Sequence, residues 1–387
     1  MSPASANVAS SRRYLPLVCA RPRDAGGPYR IGVLPGEGSG PEIVRVALAV
    51  LDAVSSVTGT TFEVTFGGPI GIDAERESGV ALSEDVVRFC AATFAAGGAI
   101  FAGAGGGRFV YDLRRRFDLF CKLNPIRPWP ELAGVARLRA RQAGDVDVLI
   151  VRENVEGVYY SEWSEPAGVA PARSLTQRST HTEHGVRRIV DAAARIARAR
   201  RRKLAVVVKR GGLPALAALW EACARAIVPG YEVEVSVLDV DLAAYRVVQE
   251  PETLDVVVAP NLFADVLSDL GGVVAGSRAL TYGVSFSARG DAVYQTNHGS
   301  AHDLARTDRA NPAGQLLALA LLLRESFALE REAALVERAL GCVWARGIRT
   351  ADLAEQGAAR VVGTREMGEC LTDAVLALGA AAMPESA

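Results

Sequence analysis

The chain has 387 residues, half of them hydrophobic and 22% charged, enough for one large or two medium domains with a substantial core, which excludes a small disulfide-stapled scaffold. Its 43 Lys+Arg and 44 Asp+Glu leave a formal net charge of -1, so no global basic field exists to attract nucleic acid. Six cysteines without a C-x-x-C pair argue against a zinc cluster or redox dithiol and fit a reducing, cytoplasmic setting, while the longest apolar run, 316–323, is too short to span a membrane.

Residues 1–28 read as a disordered extension. Ser11-Arg12-Arg13 imitates a twin-arginine export signal, but the apolar stretch behind it is short and runs into Arg21-Pro22-Arg23. From Tyr29 onward, short β-rich runs alternate with longer helical stretches, the pattern of an α/β fold with a largely parallel sheet. A strand over 31–34 leads through a glycine loop, 35–40, into a helix over 41–54 with proline in its first turn. Further strands are expected at 99–102, 146–151, 204–208, 232–238 and 254–258, a long apolar helix at 311–327, and a closing helix at 372–382. The basic stretch 195–203 has no interleaved aromatic residues, so it reads as a solvated helix C-terminus rather than an RNA-binding patch.

Several short motifs can carry chemistry. Gly36-Glu37-Gly38-Ser39-Gly40 follows a strand, yet its spacing is not that of G-x-G-x-x-G, and a tight turn explains it equally well. Arg152-Glu153-Asn154-Val155-Glu156-Gly157-Val158-Tyr159 lies just past a strand end, where open α/β sheets place ligands. There an arginine can grip a carboxylate and a tyrosine can act as a general acid; a polar loop with a half-buried tyrosine is the alternative. Lys209 ends another strand and is either a surface lysine or a proton-transfer group. Asp265 and Asp269 stand four apart at a helix start and project from one face. They are either charges favoured by the helix dipole or ligands for Mg²⁺ or Mn²⁺, with Asp241 as a third carboxylate. His298-Gly299-Ser300-Ala301-His302-Asp303, before the helix near Asn311, is either a nucleotide loop or a plain connection. With no G-x-S-x-G elbow in the chain, a serine hydrolase is not indicated.

In this order the pieces resemble the β-decarboxylating dehydrogenase family: isocitrate, homoisocitrate, 3-isopropylmalate and tartrate/D-malate dehydrogenases. Leu34-Pro35-Gly36-Glu37-Gly38-Ser39-Gly40-Pro41-Glu42 is close to the family's L-P-G-D-G-I-G-P-E. Leu113-Arg114-Arg115, the 152–159 motif, Lys209, Val240-Asp241, the 261–269 segment, the 298–303 loop and Asn311-Pro312 follow in the family's order. The resemblance implies an isopropylmalate dehydrogenase-like two-domain fold, with a cofactor-binding domain at 29–120 plus 277–387. A smaller domain at 121–276 would carry the metal site and dimer contacts.

The implied activity is NAD-dependent oxidation of a 3-substituted malate at C2, followed by loss of the β-carboxylate as CO₂. Asp241, Asp265 and Asp269 would hold Mg²⁺ or Mn²⁺, Lys209 would assist removal of the hydroxyl proton, and Tyr159 would protonate the enolate carbon. Arg114 and Arg152 would bind substrate carboxylates. His298, Gly299, Ser300, Ala301, Asp303 and Asn311 would bind the cofactor, with Asp303 favouring NAD over NADP. Lys209 and Asp241 would reach into a partner's site, so a homodimer with shared active sites is implied. A non-catalytic regulatory subunit is the other function the family offers, and retention of Tyr159, Lys209 and the three aspartates argues against it.

Some positions depart from the family pattern. The arginine of N-L-R-P is Asn124 in Lys122-Leu123-Asn124-Pro125, and D-K-A-N has become Val208-Lys209-Arg210-Gly211. His302 replaces a proline, Ala264 a glycine and Gln295 a glutamate. Without an arginine at 124, the cations left to meet a substrate anion are Arg108, Lys122 and Arg127. Arg108 lies near where the family reads the 3-substituent; an apolar pocket lined by Val110 is the alternative.

Overall fold

A computed structural model describes residues 13–19, 28–134, 146–354 and 357–381. In chain order its strands are β1 (Tyr29–Leu34), β2 (Phe62–Phe66), β3 (Ala99–Ala102), β4 (Cys121–Ile126), β5 (Val148–Glu153), the short β6 (Glu162–Trp163) and β7 (Gln177–Arg178), then β8 (Lys203–Val208), β9 (Glu234–Asp239), β10 (Val256–Ala259), β11 (Tyr282–Phe286), β12 (Ala292–Thr296) and the short β13 (Ile348–Arg349) and β14 (Arg360–Val361). The helices are α1 (Leu15–Val18), α2 (Gly40–Thr58), α3 (Gly71–Ser78), α4 (Glu84–Ala95), α5 (Phe109–Arg116), α6 (Glu183–Ala199), α7 (Pro214–Ile227), α8 (Val240–Gln249), α9 (Asn261–Ala275), α10 (Ala313–Phe327), α11 (Glu330–Ala345) and α12 (Thr364–Ala381).

Ten strands form one sheet in the order β2-β1-β3-β12-β11-β4-β5-β10-β8-β9. Six neighbouring pairs are parallel, and the three antiparallel pairs lie together at the centre, where β11 and β4 are inserted. The sheet is therefore two parallel blocks pointing opposite ways, and their C-terminal ends lie at opposite ends of the strands. Strands β3, β5 and β10 are buried throughout, as continuous apolar runs covered by helices on both faces should be. Almost every residue of α10 is buried as well. No helix among the described residues is long and apolar enough to cross a membrane.

The strands expected at 146–151, 232–238 and 254–258 begin at Val148, Glu234 and Val256, each two residues later than the apolar pattern suggested. Asp147 and Asp255, at two of those starts, are withdrawn into ion pairs: Asp147 with Arg127 at 2.7 Å and Asp255 with Arg200 at 2.8 Å. The closing helix, expected at 372–382, already starts at Thr364; residue 382 lies outside the described residues. The extension expected to be disordered over 1–28 is corrected at residues 13–19. The amides of Tyr14 and Leu15 donate to the buried Oε2 of Glu325 at 2.7 and 2.8 Å, and the Tyr14 hydroxyl accepts from Arg200 at 2.6 Å. Tyr14, Leu15 and Val18 join the main core, so apolar burial and satisfied backbone donors order this segment.

Candidate functional site

The glycine loop after β1 is built against the 298–303 loop. At Gly38, φ is +58°, and a Cβ there would lie 2.1 Å from the Ser300 carbonyl oxygen, so only glycine permits this approach. The Ser39 amide donates to that same carbonyl at 2.8 Å. Glu37 is buried and accepts from the Asp73 amide at 2.9 Å, the Gly106 amide at 2.6 Å and the Ser300 hydroxyl at 2.8 Å. Burial works to raise its carboxyl, but these donors outweigh it and hold the group below its usual value.

Beside this junction lies a cavity of about 390 Å³, lined among others by Ser39, Arg278, His298, Asp303 and Asn311. The His298 Nε2 is buried with no partner among the described residues, and burial lowers the pKa of its ring. Ala301 has φ +44°, which turns the loop around the cavity. Asn311 bonds Asp352 at 3.0 Å and caps α10 through the Ala313 amide at 2.9 Å, so part of its polar capacity is structural. Asp303 is exposed on the cavity rim. Polar groups around an open concavity with an orphaned ring nitrogen fit a nucleotide.

The second group of residues stands on α9, whose Asn261, Asp265 and Asp269 repeat every four residues on one face. Arg152, at the end of β5, is almost wholly buried; it donates through Nε and Nη2 to the Asn261 Oδ1 at 3.0 and 2.7 Å and pairs with Asp265. The Tyr159 hydroxyl donates to the other Asp265 oxygen at 2.7 Å. Burial opposes the charge on Asp265, yet Arg152, Lys122 and the Tyr159 bond keep its carboxyl below the usual range. Tyr159 is pushed the opposite way, first by burial and then by the bond to Asp265, so its phenol retains its proton. About 6 Å further along the helix axis, Asp269 pairs with Arg278 at 2.7 Å, and Arg278 lines the cavity. Helix α9 thus links the two groups across the reversed centre of the sheet.

Arg114, at the end of α5, is buried with its guanidinium 5.8 Å from the Tyr111 ring, and its pKa falls to about 10 through burial and the neighbouring Arg152. Arg108 is half exposed at the rim, 3.5 Å from Asp112 and near the Tyr111 and Trp163 rings. Asn124 is engaged inside the protein: its amide donates to Asn297 at 2.8 Å and accepts from Ser268 at 3.2 Å. Lys209 and Asp241 pair at 2.6 Å on the surface, Asp241 being 70% exposed. The described residues contain no group of three His, Cys, Asp or Glu able to hold a metal ion, so one chain does not bring Asp241 to Asp265 and Asp269. Two adjacent carboxylates on α9 fit a hard divalent cation only if a third arrives from elsewhere. Asn261 carries no role in the sequence reading, although its place four residues before Asp265 on the same helix face was visible there.

The model of a family described as isocitrate/isopropylmalate dehydrogenase matches residues 30–371. A 3-isopropylmalate dehydrogenase of Synechococcus sp. is 36% identical over 366 residues, which is 90% of this chain and 96% of the relative. One from Aquifex aeolicus is 34% identical over 365 residues, again 90% and 96%. The crystal structure of isocitrate dehydrogenase from Methylococcus capsulatus superposes with a TM-score of 0.80 at 28% identity, covering 90% of this chain and 99% of that one.

Proposed function

This chain belongs to the isocitrate/isopropylmalate dehydrogenase family, and on that premise we propose that it is an active NAD-dependent, divalent-metal-dependent enzyme that oxidises and decarboxylates a 3-substituted malate to a 2-oxo acid and CO₂. The observation that carries the reading is the Arg152–Asp265–Tyr159 constellation, where a half-buried carboxylate of α9 aligns a buried arginine from β5 and a protonated phenol from the loop that follows it.

In this reading Arg114 and Arg152 hold the substrate carboxylates, and His298, Asp303 and Asn311 around the cavity would hold NAD, which would supply the hydride acceptor for C2. Asp265 and Asp269, with Asp241 of a second copy, would hold Mg²⁺ or Mn²⁺, which when bound stabilises negative charge on the substrate oxygens. Lys209 of that second copy assists removal of the hydroxyl proton. Tyr159, kept protonated by its surroundings, delivers a proton to the enolate carbon after CO₂ leaves. The homodimer with shared sites is supported by the surface position of Lys209 and Asp241 and by exposed apolar side chains nearby in sequence on α8 and on α9: Leu242, Tyr245, Val266 and Val273. The division into 29–120 plus 277–387 and 121–276 is part of the same proposal, with the cavity in the first unit and α9 in the second. No disulfide is present among the described residues, which supports a cytoplasmic setting.

The test is a panel of malates bearing alkyl, carboxyalkyl and hydroxyalkyl groups at C3, assayed for NADH formation with Mn²⁺. Turnover of at least one is expected; a protein that binds NAD but oxidises none of them would instead be a regulatory paralogue.

A further inference from the structure

Strand β4 holds a cation that the reaction described above does not use. Lys122 lies two residues before Asn124, so both side chains leave the same face of the strand, and Asn124 reaches Ser268 of α9 from that face. Lys122 is 3% exposed, is registered opposite Arg152, and faces Arg114 and Arg152 together with Asp265 and Asp269. Arg152 has its acceptors in Asn261 and Asp265. Neither Lys122 nor Arg114 has a hydrogen-bonded or ion-paired acceptor among the described residues. The two carboxylates in the field of Lys122 are engaged elsewhere, Asp265 by Arg152 and Tyr159 and Asp269 by Arg278, while burial and the two arginines pull the Lys122 amine well below its ordinary value; an incoming anion would offset this positive field and keep the ammonium charged. The other candidates are committed elsewhere: Arg127 to Asp147 at 2.7 Å, and Arg108 to Asp112 at the rim.

We infer that Lys122 is a substrate ligand: with Arg114 it forms a subsite for a carboxylate of the malate core, taking over from the cation absent at position 124. This rests on the dehydrogenase reading for the identity of the anion, though not for the existence of the anion site. An ammonium is a compact point charge, without the bidentate fork of a guanidinium. The carboxylate is therefore gripped less directionally, which leaves room for 3-substituents that a guanidinium at 124 would crowd.

The test uses the full-length protein with sulfate as an oxyanion probe and malate as the substrate core. Sodium sulfate is compared with sodium chloride at equal ionic strength while the melting temperature is followed, for wild type, Lys122→Met, Lys122→Asn and Lys122→Arg. Sulfate raises the melting temperature of any folded protein somewhat by exclusion from its surface, so the expected signal is the excess: wild type and Lys122→Arg should rise further above the chloride control than the two neutral variants, and the excess should saturate with sulfate concentration. In turnover of malate with NAD and Mn²⁺, the neutral variants should raise KM by about tenfold or more with a smaller change in kcat, and Lys122→Arg should restore it. A sulfate response as large in the neutral variants as in wild type overturns the proposal. A Lys122-dependent sulfate response in a protein that oxidises neither malate nor any member of the 3-substituted panel keeps the anion site and removes the dehydrogenase reading. Turnover with KM unmoved by the neutral variants does the reverse.

Discussion

Around Glu37 and the 298–303 loop, the polar groups of one chain largely satisfy one another, whereas Lys209 and Asp241 pair only with each other on the surface. The first region is a finished socket and the second half of one. A binding loop can be assembled locally, because backbone amides, a glycine turn and one buried carboxylate suffice to shape it. A constellation of three carboxylates and a lysine repels itself or collapses into ion pairs when no ligand is present. In the proposed homodimer, splitting it between two chains would keep the parts apart until they are needed. Between these extremes stands Asp265, which Arg152, Lys122 and Tyr159 already hold charged within a single chain.

The largest expected effect strikes that shared element. Asp265→Asn removes a charged oxygen ligand and the partner of both Arg152 and Tyr159, so turnover should fall by roughly a thousandfold or more; NADH formation near wild-type rates, or wild-type activity in excess chelator, would break the assignment. Next comes the split itself. Lys209→Met and Tyr159→Phe chains should each be inactive, and a re-equilibrated mixture should regain about a quarter of wild-type activity, because half of the dimers are hybrids with one intact site. No recovery on mixing would place Lys209 outside the partner's site.

At the socket, NAD should be preferred over NADP because Asp303 offers a carboxylate to a ribose hydroxyl pair and repels a phosphate. Asp303→Asn should narrow the ratio of kcat/KM values by about tenfold, and an unchanged ratio would show that this side chain does not face the ribose. The smallest effect concerns stability against pH and distinguishes two buried carboxylates. Glu37 is held below its ordinary value, so the stability it contributes is present near neutrality and lost as pH falls below 4.5 through its folded value. Burial raises Glu153, at the end of β5, from 4.5 to about 7 despite bonds from the Val155 and Glu156 amides. The native state therefore holds the extra proton, and stability should fall as pH rises from about 4.5 to about 7. Glu37→Gln should cost about 1–3 kcal/mol at pH 7 and flatten the acid limb, whereas Glu153→Gln should flatten the limb between pH 5 and 7. Denaturant midpoints measured across that range separate the two, and slopes of the same sign would contradict the contrast.

The apolar runs at 99–102 and 204–208 were readable as strands because a strand covered on both faces needs little besides continuous hydrophobicity. Likewise the glycine spacing at 36–40 and the four-residue step from Asp265 to Asp269 declared local geometry, since turns and helix faces are set within a few residues. The inserted strands β4 and β11 were not declared: β4 carries Lys122, Asn124 and Pro125, which have weak strand preference, and only pairing with β5 and β11 extends them. The docking of residues 13–19 depended on Glu325 and Arg200, more than a hundred residues away, which no local pattern reports. Nor did the sequence order the cations. Arg108, Lys122 and Arg127 stood as equals along the chain, and the tertiary structure separated them by placing an acid beside two of them and burying the third between arginines. Local geometry follows from short-range sterics and hydrogen bonding, which neighbours in sequence supply; counter-charge and burial are properties of the surroundings, which exist only once the chain has folded.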